Sequence, residues 1–317
     1  MRIRFWGTRG SLPVALTSAA IKQKLVSVLL KAVGKPLDTA ARIEAYIEQE
    51  CPPPYTFGGS SSCVQIDVGG DEYVLCDLGS GVRTFGNHVL ATHGPAKANT
   101  FHVFMSHLHW DHIMGFPFFV PVYIPGNTIR IYGCHDVLEE AFRRQHAAPS
   151  FPVEFSQLGA RIEFVRLDPG VSYEIAGLQV RAMRQRHVGD SYGFRFEHQG
   201  KVAVYSTDSE HKLEDRAVTD EFVAFFRDAD LVIFDAMYSL ADAITVKEDW
   251  GHSSNVVGVE LCQLARAKHL CMFHHDPASD DEQLAAMLRD TRRFEEITRG
   301  DVRLEVSTAY DGMDIVL

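Results

Sequence analysis

The strongest constraint on this chain is the six-residue stretch His107-Leu108-His109-Trp110-Asp111-His112, which puts three imidazoles and a carboxylate on one short segment. It follows an apolar run, Phe101 to Met105, that reads as a strand, and it precedes Ile113-Met114-Gly115. A loop between a strand and a helix is therefore expected. In an extended backbone alternate side chains share a side, so His107 and His109 point together. Once the chain turns, Asp111 and His112 address a second point nearby. Imidazoles with a carboxylate suit zinc and its first-row neighbours. Two such groups side by side suit a pair of cations about 3.5 Å apart. A chance cluster of surface or core histidines is the competing explanation, and their density at a strand end argues against it.

Four side chains cannot complete two metal sites, so further ligands are expected from downstream. Candidates stand where apolar runs end. His187 follows the strand that closes near Arg184. Asp208 follows Val202 to Ser206. His274 or His275 follows Leu270 to Phe273. Each can converge on a shared cleft from the end of its strand.

The rest of the chain reads as two batches of strands, each with helices. Strands are expected at Met1–Trp6, Ser62–Val68, Glu72–Asp77, Thr100–Ser106, Thr128–Tyr132, Arg161–Leu167, Leu178–Arg184, Tyr192–Glu197, Val202–Ser206, Leu231–Phe234 and Leu270–Phe273. Helices are expected at Thr17–Val33, Asp38–Glu50, His135–Gln145, Asp220–Arg227, Asn255–Ala267 and Asp281–Arg293. This order implies an α/β fold, a layered αββα sandwich and not a doubly wound sheet. We read residues 1–317 as one domain, with 14–54 as a helical insertion near the N-terminus. In that insertion Ile21, Leu25, Val28, Leu29 and Ala32 share one helix face, Ile43 and Ile47 point inward, and Pro52-Pro53-Pro54 stops the second helix. It either packs on the sandwich or serves as a lid or dimer contact.

Composition narrows the function classes. The formal net charge of -11 argues against a broad nucleic-acid surface, though one local pocket can still hold a small anion. No apolar run approaches a membrane span, and the N-terminal segment lacks the apolar core of a signal peptide. The six cysteines form no CxxC pair and sit mostly inside apolar runs, which fits reduced, buried thiols and a cytoplasmic protein.

In order, the motif HxHxDH, then His, Asp and His, resembles the metallo-β-lactamase superfamily. More narrowly, Gly7-Thr8-Arg9-Gly10-Ser11-Leu12-Pro13, Phe57-Gly58-Gly59-Ser60-Ser61-Ser62-Cys63 and Asp77-Leu78-Gly79-Ser80-Gly81 are similar to loops of its phosphodiesterase branch, which includes RNase Z and cyclic-nucleotide phosphodiesterases. The resemblance covers nearly all of the chain except 14–54. It implies that His107, His109 and His187 hold one metal, that Asp111, His112 and His274 hold a second, and that Asp208 bridges them. His275 is then a neighbour of the centre. Phe234-Asp235-Ala236-Met237-Tyr238 and Trp250-Gly251-His252-Ser253-Ser254 resemble the segments that carry a proton-shuttling pair in RNase Z. Asp235 stands where that family has Glu, and Phe234 where it has His.

The resemblance implies a two-metal phosphodiesterase, with zinc first and manganese second as the cations. Two dications opposed by Asp111, Asp208 and a bridging hydroxide leave about one net positive charge, which suits a monoanionic phosphodiester. A small cyclic nucleotide is the leading substrate, with Asp111, Asp235 and His252 as catalytic residues and Arg9, Arg184 and Arg186 as phosphate contacts. The aromatic residues Trp110, Phe116, Phe118, Phe119 and Tyr123 serve core packing or base stacking. A homodimer is the resemblance-level expectation, with no membrane and no large nucleic acid as partner. The alternatives are an RNase Z-like RNA endonuclease, a carboxylic-ester or lactone hydrolase on the same metals, and a ligand-binding regulator that has lost turnover.

Overall fold

Side-chain alternation along the strands feeds two different sets of neighbours, and the layers follow from it. The computed structural model describes residues 1–50, 55–211, 215–239 and 250–317. The expected proline stop at 52–54 and Cys51 lie outside these residues. A first sheet holds β1 (Arg2–Gly7), β2 (Cys63–Asp67), β3 (Tyr73–Cys76), β4 (Thr100–Phe104), β5 (Thr128–Gly133), β6 (Arg161–Arg166) and β14 (Asp314–Val316). Their order across the sheet is β14-β1-β2-β3-β4-β5-β6. A second sheet holds β7 (Ser172–Ile175), β8 (Leu178–Arg184), β9 (Tyr192–His198), β10 (Lys201–Ser206), β11 (Leu231–Asp235), β12 (His269–Phe273) and β13 (Glu305–Thr308). Their order is β13-β12-β11-β10-β9-β8-β7.

One side of each sheet faces the other sheet. Phe5, Ile66, Val74 and Phe104 meet Val180, Phe194, Ile233 and Phe273 in a single apolar layer. The rings of Phe104 and Phe196 lie 5.2 Å apart across it, edge to face. The opposite sides are covered by helices. Leu75, Phe101 and Ile131 pack with Phe85 of α3 (Val82–His93) and Phe142 of α5 (Leu138–Gln145). Val232, Phe234 and Leu270 pack with Phe226 of α6 (Arg216–Phe226) and Val259 of α7 (Asn255–Leu264), with Met287 and Leu288 of α8 (Asp281–Thr298) partly buried beside them. The result is the expected αββα sandwich.

The central strands in each half run parallel: β3 to β6 in the first sheet, and β10 to β13 in the second. Consecutive parallel strands therefore deliver their C-terminal residues to the same edge. Asp77 follows β3, His107 follows β4, Asp208 follows β10, Asp235 closes β11 and His274 follows β12. Ligand clefts in parallel sheets form at such edges.

Among the described α-helices and strands, four are absent from the sequence expectation. Helix α3 is absent from it because Thr84, Gly86, Asn87 and Thr92 weaken its helical signal. Tertiary packing compensates, with Val82, Phe85 and Val89 buried. The strands β7, β13 and β14 are four, four and three residues long and sit at sheet edges, too short for periodicity to reveal.

The insertion forms the two expected helices, α1 (Ser18–Ala32) and α2 (Ala40–Glu50). Thr17 caps α1 by accepting from the Ala20 N–H, and Thr39, not Asp38, accepts from the Arg42 N–H at the start of α2. The apolar face read for α1 is not buried: no residue of the helix is, and Ile21, Leu25 and Leu29 are exposed. Ile43 of α2 is exposed as well. Tyr46 is buried and reaches the Val28 carbonyl, and Lys24 pairs with Asp281 of α8.

Candidate metal centre

Helix α4 (Trp110–Ile113) begins directly after His109, so the predicted strand–loop–helix carries the cluster. Among the described residues, four overlapping groups of ligand-type atoms converge there; His252 joins two of them, with His187 and Asp208 and with Asp235 and His274, and the other two take in the nominated ligands. One holds His107, His109 and His187; the other holds Asp111, His112, Asp208 and His274. Within each set the donor atoms lie within 4.8 Å of one another. All seven residues that the sequence nominated as ligands are therefore brought together, three of them from the second sheet.

Asp208 lies between the sets. Its Oδ2 is 3.6 Å from His107 Nε2 and 3.7 Å from His187 Nε2. Its Oδ1 is 3.2 Å from His112 Nε2 and 3.2 Å from His274 Nε2. Each oxygen faces a different set, the disposition of a bridging carboxylate. Asp208 and His274 both hold positive φ, 44° and 60°, a backbone region that few residues other than glycine adopt. Such strain concentrates at functional sites.

The nitrogens fit a cation better than they fit each other. His187 Nε2 lies 3.2 Å from His109 Nδ1, and His112 Nε2 lies 3.3 Å from His274 Nε2. His107 Nε2 is buried with no hydrogen-bond partner. Burial, with His112 beside it, pushes His107 well below the usual histidine range, so its lone pair stays free. Burial opposes charge on His112 too, but Asp111, Asp208 and Asp77 outweigh it and raise its pKa. Imidazole nitrogens and carboxylates converging in this way are the donor set of a divalent metal site, with His109 at its exposed side.

The remaining ring nitrogens are held by neighbours. His112 Nδ1 lies 2.7 Å from Asp77, and His187 Nδ1 donates to the Gly251 carbonyl at 2.8 Å. Asp77 was missed as a participant in sequence reasoning. It is fully buried and accepts from the Ser106 N–H, the Ser106 hydroxyl and the Tyr205 hydroxyl as well. Its sequence-level signal was its position at the end of the expected strand Glu72–Asp77, opening the Asp-Leu-Gly-Ser-Gly loop.

Asp235 and His252 meet as expected. His252 Nδ1 is 2.9 Å from Asp235 Oδ2, and the Asp235 carboxylate also accepts from the Ser209 and Met237 N–H groups. Burial opposes charge on His252, but Asp235 overcomes it and raises the imidazole to about 9. A neighbouring cation lowers such a value again. The His252 ring stacks on His274 with centroids 5.1 Å apart, so the pair borders the ligand sets.

Other expectations are corrected. Arg9 is buried, and its guanidinium donates to the carbonyls of Gly58, Asp276 and Ser279, so it ties loops together and is not open to a substrate. By contrast, Arg184 and Arg186 stay at the surface, their side chains 70% and 39% exposed in ion pairs with Asp190 and Asp215. His275 turns its Nε2 to the Ala309 carbonyl, and its backbone pairs with the Arg9 segment. Phe116 and Phe119 are core residues, whereas Trp110 and Phe118 are exposed.

Residues 73–275 match the family described as the β-lactamase superfamily domain. Among curated relatives, ribonuclease Z of Geobacillus kaustophilus (strain HTA426) is 24% identical over 237 residues, which is 60% of this chain and 75% of the relative. The metallo-β-lactamase fold protein YhfI from Bacillus subtilis superposes with a TM-score of 0.65 at 17% identity, covering 99% of this chain and 98% of its own. A diphosphatase from the PhnP family gives a TM-score of 0.60 at 17% identity, covering 100% and 97%.

Proposed function

The chain belongs to the β-lactamase superfamily, and from that premise we propose that it is a two-metal phosphodiesterase acting on a small cyclic nucleotide. The observation that carries the proposal is Asp208, whose two oxygens face two separate sets of ligand atoms. His107, His109 and His187 would hold one cation, and Asp111, His112 and His274 the other. Divalent metal, when bound, supplies Lewis acidity toward the phosphoryl oxygens and acidifies water toward neutrality. Zinc is the first candidate and manganese the second.

Expelling an alkoxide from phosphorus also needs a proton. In this reading His252 gives it, since the Asp235 carboxylate beside Nδ1 supports the tautomer that leaves Nε2 for the leaving oxygen. The same pair favours phosphodiester over lactone chemistry. A cytoplasmic setting belongs to this reading, since five described cysteines are free, buried thiols. Among the described residues no helix is long and apolar enough to cross a membrane.

A second reading, RNA cleavage of the ribonuclease Z kind, is favoured by the 24% identity to that relative. A parallel assay separates the two. Metal-loaded protein is offered cyclic mononucleotides, cyclic dinucleotides, precursor tRNA and a lactone panel, with elemental analysis of the same sample. About two metals per chain and turnover of a cyclic nucleotide are expected. His252→Ala should slow that turnover roughly 10²–10⁴-fold with metal content unchanged. Turnover confined to precursor tRNA or to lactones would replace the proposal.

A further inference from the structure

Among the described residues, four loops that touch the ligand side chains each carry a large exposed apolar residue beside the point of contact. Trp110 stands between His109 and Asp111 and is 81% exposed. Val188 follows His187 and is 81% exposed. The next residue, Gly189, runs so close to His109 that a Cβ there would lie 2.9 Å from its Nε2. Trp250 is 63% exposed and precedes Gly251, whose carbonyl holds His187 and where a Cβ would come within 2.5 Å of that ring. Leu12, 59% exposed, follows Ser11, whose N–H donates to Asp111 Oδ2 at 2.8 Å. Scattered exposed apolar residues need no explanation, but four at the rim of one centre do.

The geometry points to this rim as a specificity surface that selects a monoanionic phosphodiester carrying a flat apolar group, a nucleobase or an aryl ring, with Trp110 and Trp250 as its stacking faces. This rests on the phosphodiesterase reading of the same centre and states which part of the substrate lies outside it. The charges agree. The arginines nominated for phosphate are engaged elsewhere, Arg9 by carbonyls and Arg184 and Arg186 by carboxylates. Arg9 is buried out of reach of a polyanion, and the net charge of -11 repels one. One negative charge can be met at the centre itself. What remains to be recognised by the rim is apolar surface, and indole rings stack on any flat π system without reading its identity.

The test uses metal-loaded protein and two substrates, a nucleoside cyclic phosphate and the cyclic phosphate of glycerol, which has no ring to stack. Trp110→Ala, Trp250→Ala and the double variant are compared with the unmodified chain. KM for the nucleoside substrate should rise roughly 5–100-fold with kcat nearly unchanged, and KM for the glycerol compound should not move. Indole fluorescence gives a readout independent of turnover. The third tryptophan, Trp6, is buried, so quenching by AMP should be lost in the double variant, and ribose 5-phosphate should not quench. Unchanged KM and unchanged AMP quenching in the double variant would overturn the inference even if cyclic nucleotides are hydrolysed. AMP quenching that depends on both tryptophans, in a protein that cleaves no phosphodiester, would support the rim and remove the phosphodiesterase reading instead.

Discussion

A buried carboxylate with four donors is a demanding arrangement, and Asp77 shows what it does for one imidazole. The His112 ring has two nitrogens, and Asp77 takes Nδ1 at 2.7 Å, so Nε2 is the one turned toward Asp111, Asp208 and His274. The Tyr205 hydroxyl at 2.8 Å and both Ser106 donors hold Asp77 in turn. Groups that orient a ligating histidine typically change metal affinity 10–100-fold when altered. Asp77→Asn keeps the shape but turns one oxygen into a donor facing other donors. We expect zinc affinity to fall by about that factor, measured by competition with a chromogenic chelator. Equal affinity in the variant would reduce Asp77 to a packing residue.

At the scale of elements, the helical insertion poses the sharpest question. Helix α1 has an apolar face by sequence, and in the folded chain Leu25, Leu29 and Leu30 stay exposed along it. Helix α3 is the converse, a poor helix by propensity that holds because Phe85 and Val89 are buried against the first sheet. The homodimer expected from the sequence has a natural surface in α1, since contiguous exposed apolar side chains mark contact sites. Sedimentation velocity should then find a dimer, and Leu25→Lys with Leu29→Lys should convert it to monomer with metal content intact. A monomer in the unmodified protein would remove that expectation.

At the scale of the whole molecule, the centre joins the two halves of the sandwich. The loop after β4 in the first sheet supplies His107, His109, Asp111 and His112, and the second sheet supplies His187, Asp208 and His274. A ligand that binds only the folded state stabilises it by mass action, about 4 kcal/mol at a thousand-fold excess over Kd. Metal held between the sheets should therefore raise the stability of the whole fold and not of one loop. Treatment with a strong chelator should lower Tm by several degrees, and added zinc should restore it. An unchanged Tm in protein shown to lose its metal would mean that the sheets hold together without it.

How much of this was legible follows from the range of each interaction. The His107–His112 cluster, the strands that precede His187, Asp208 and His274, and the layered fold class could be read from the sequence because they rest on local spacing and periodicity. So could the pairing of Asp235 with His252, through motif resemblance. Short edge strands, helix α3 and the place of Asp77 could not, because their stability comes from neighbours distant in the chain. Nor could the fate of the cations: Arg9 looked available in a Gly-Thr-Arg-Gly loop, and only packing against the carbonyls of Gly58, Asp276 and Ser279 shows it buried. The sequence by itself determined which side chains have metal-binding chemistry and at which strand ends they stand. Only the tertiary structure decided which of them share one point in space, and which face of Asp208 each one meets, because convergence across two sheets depends on how those sheets pack.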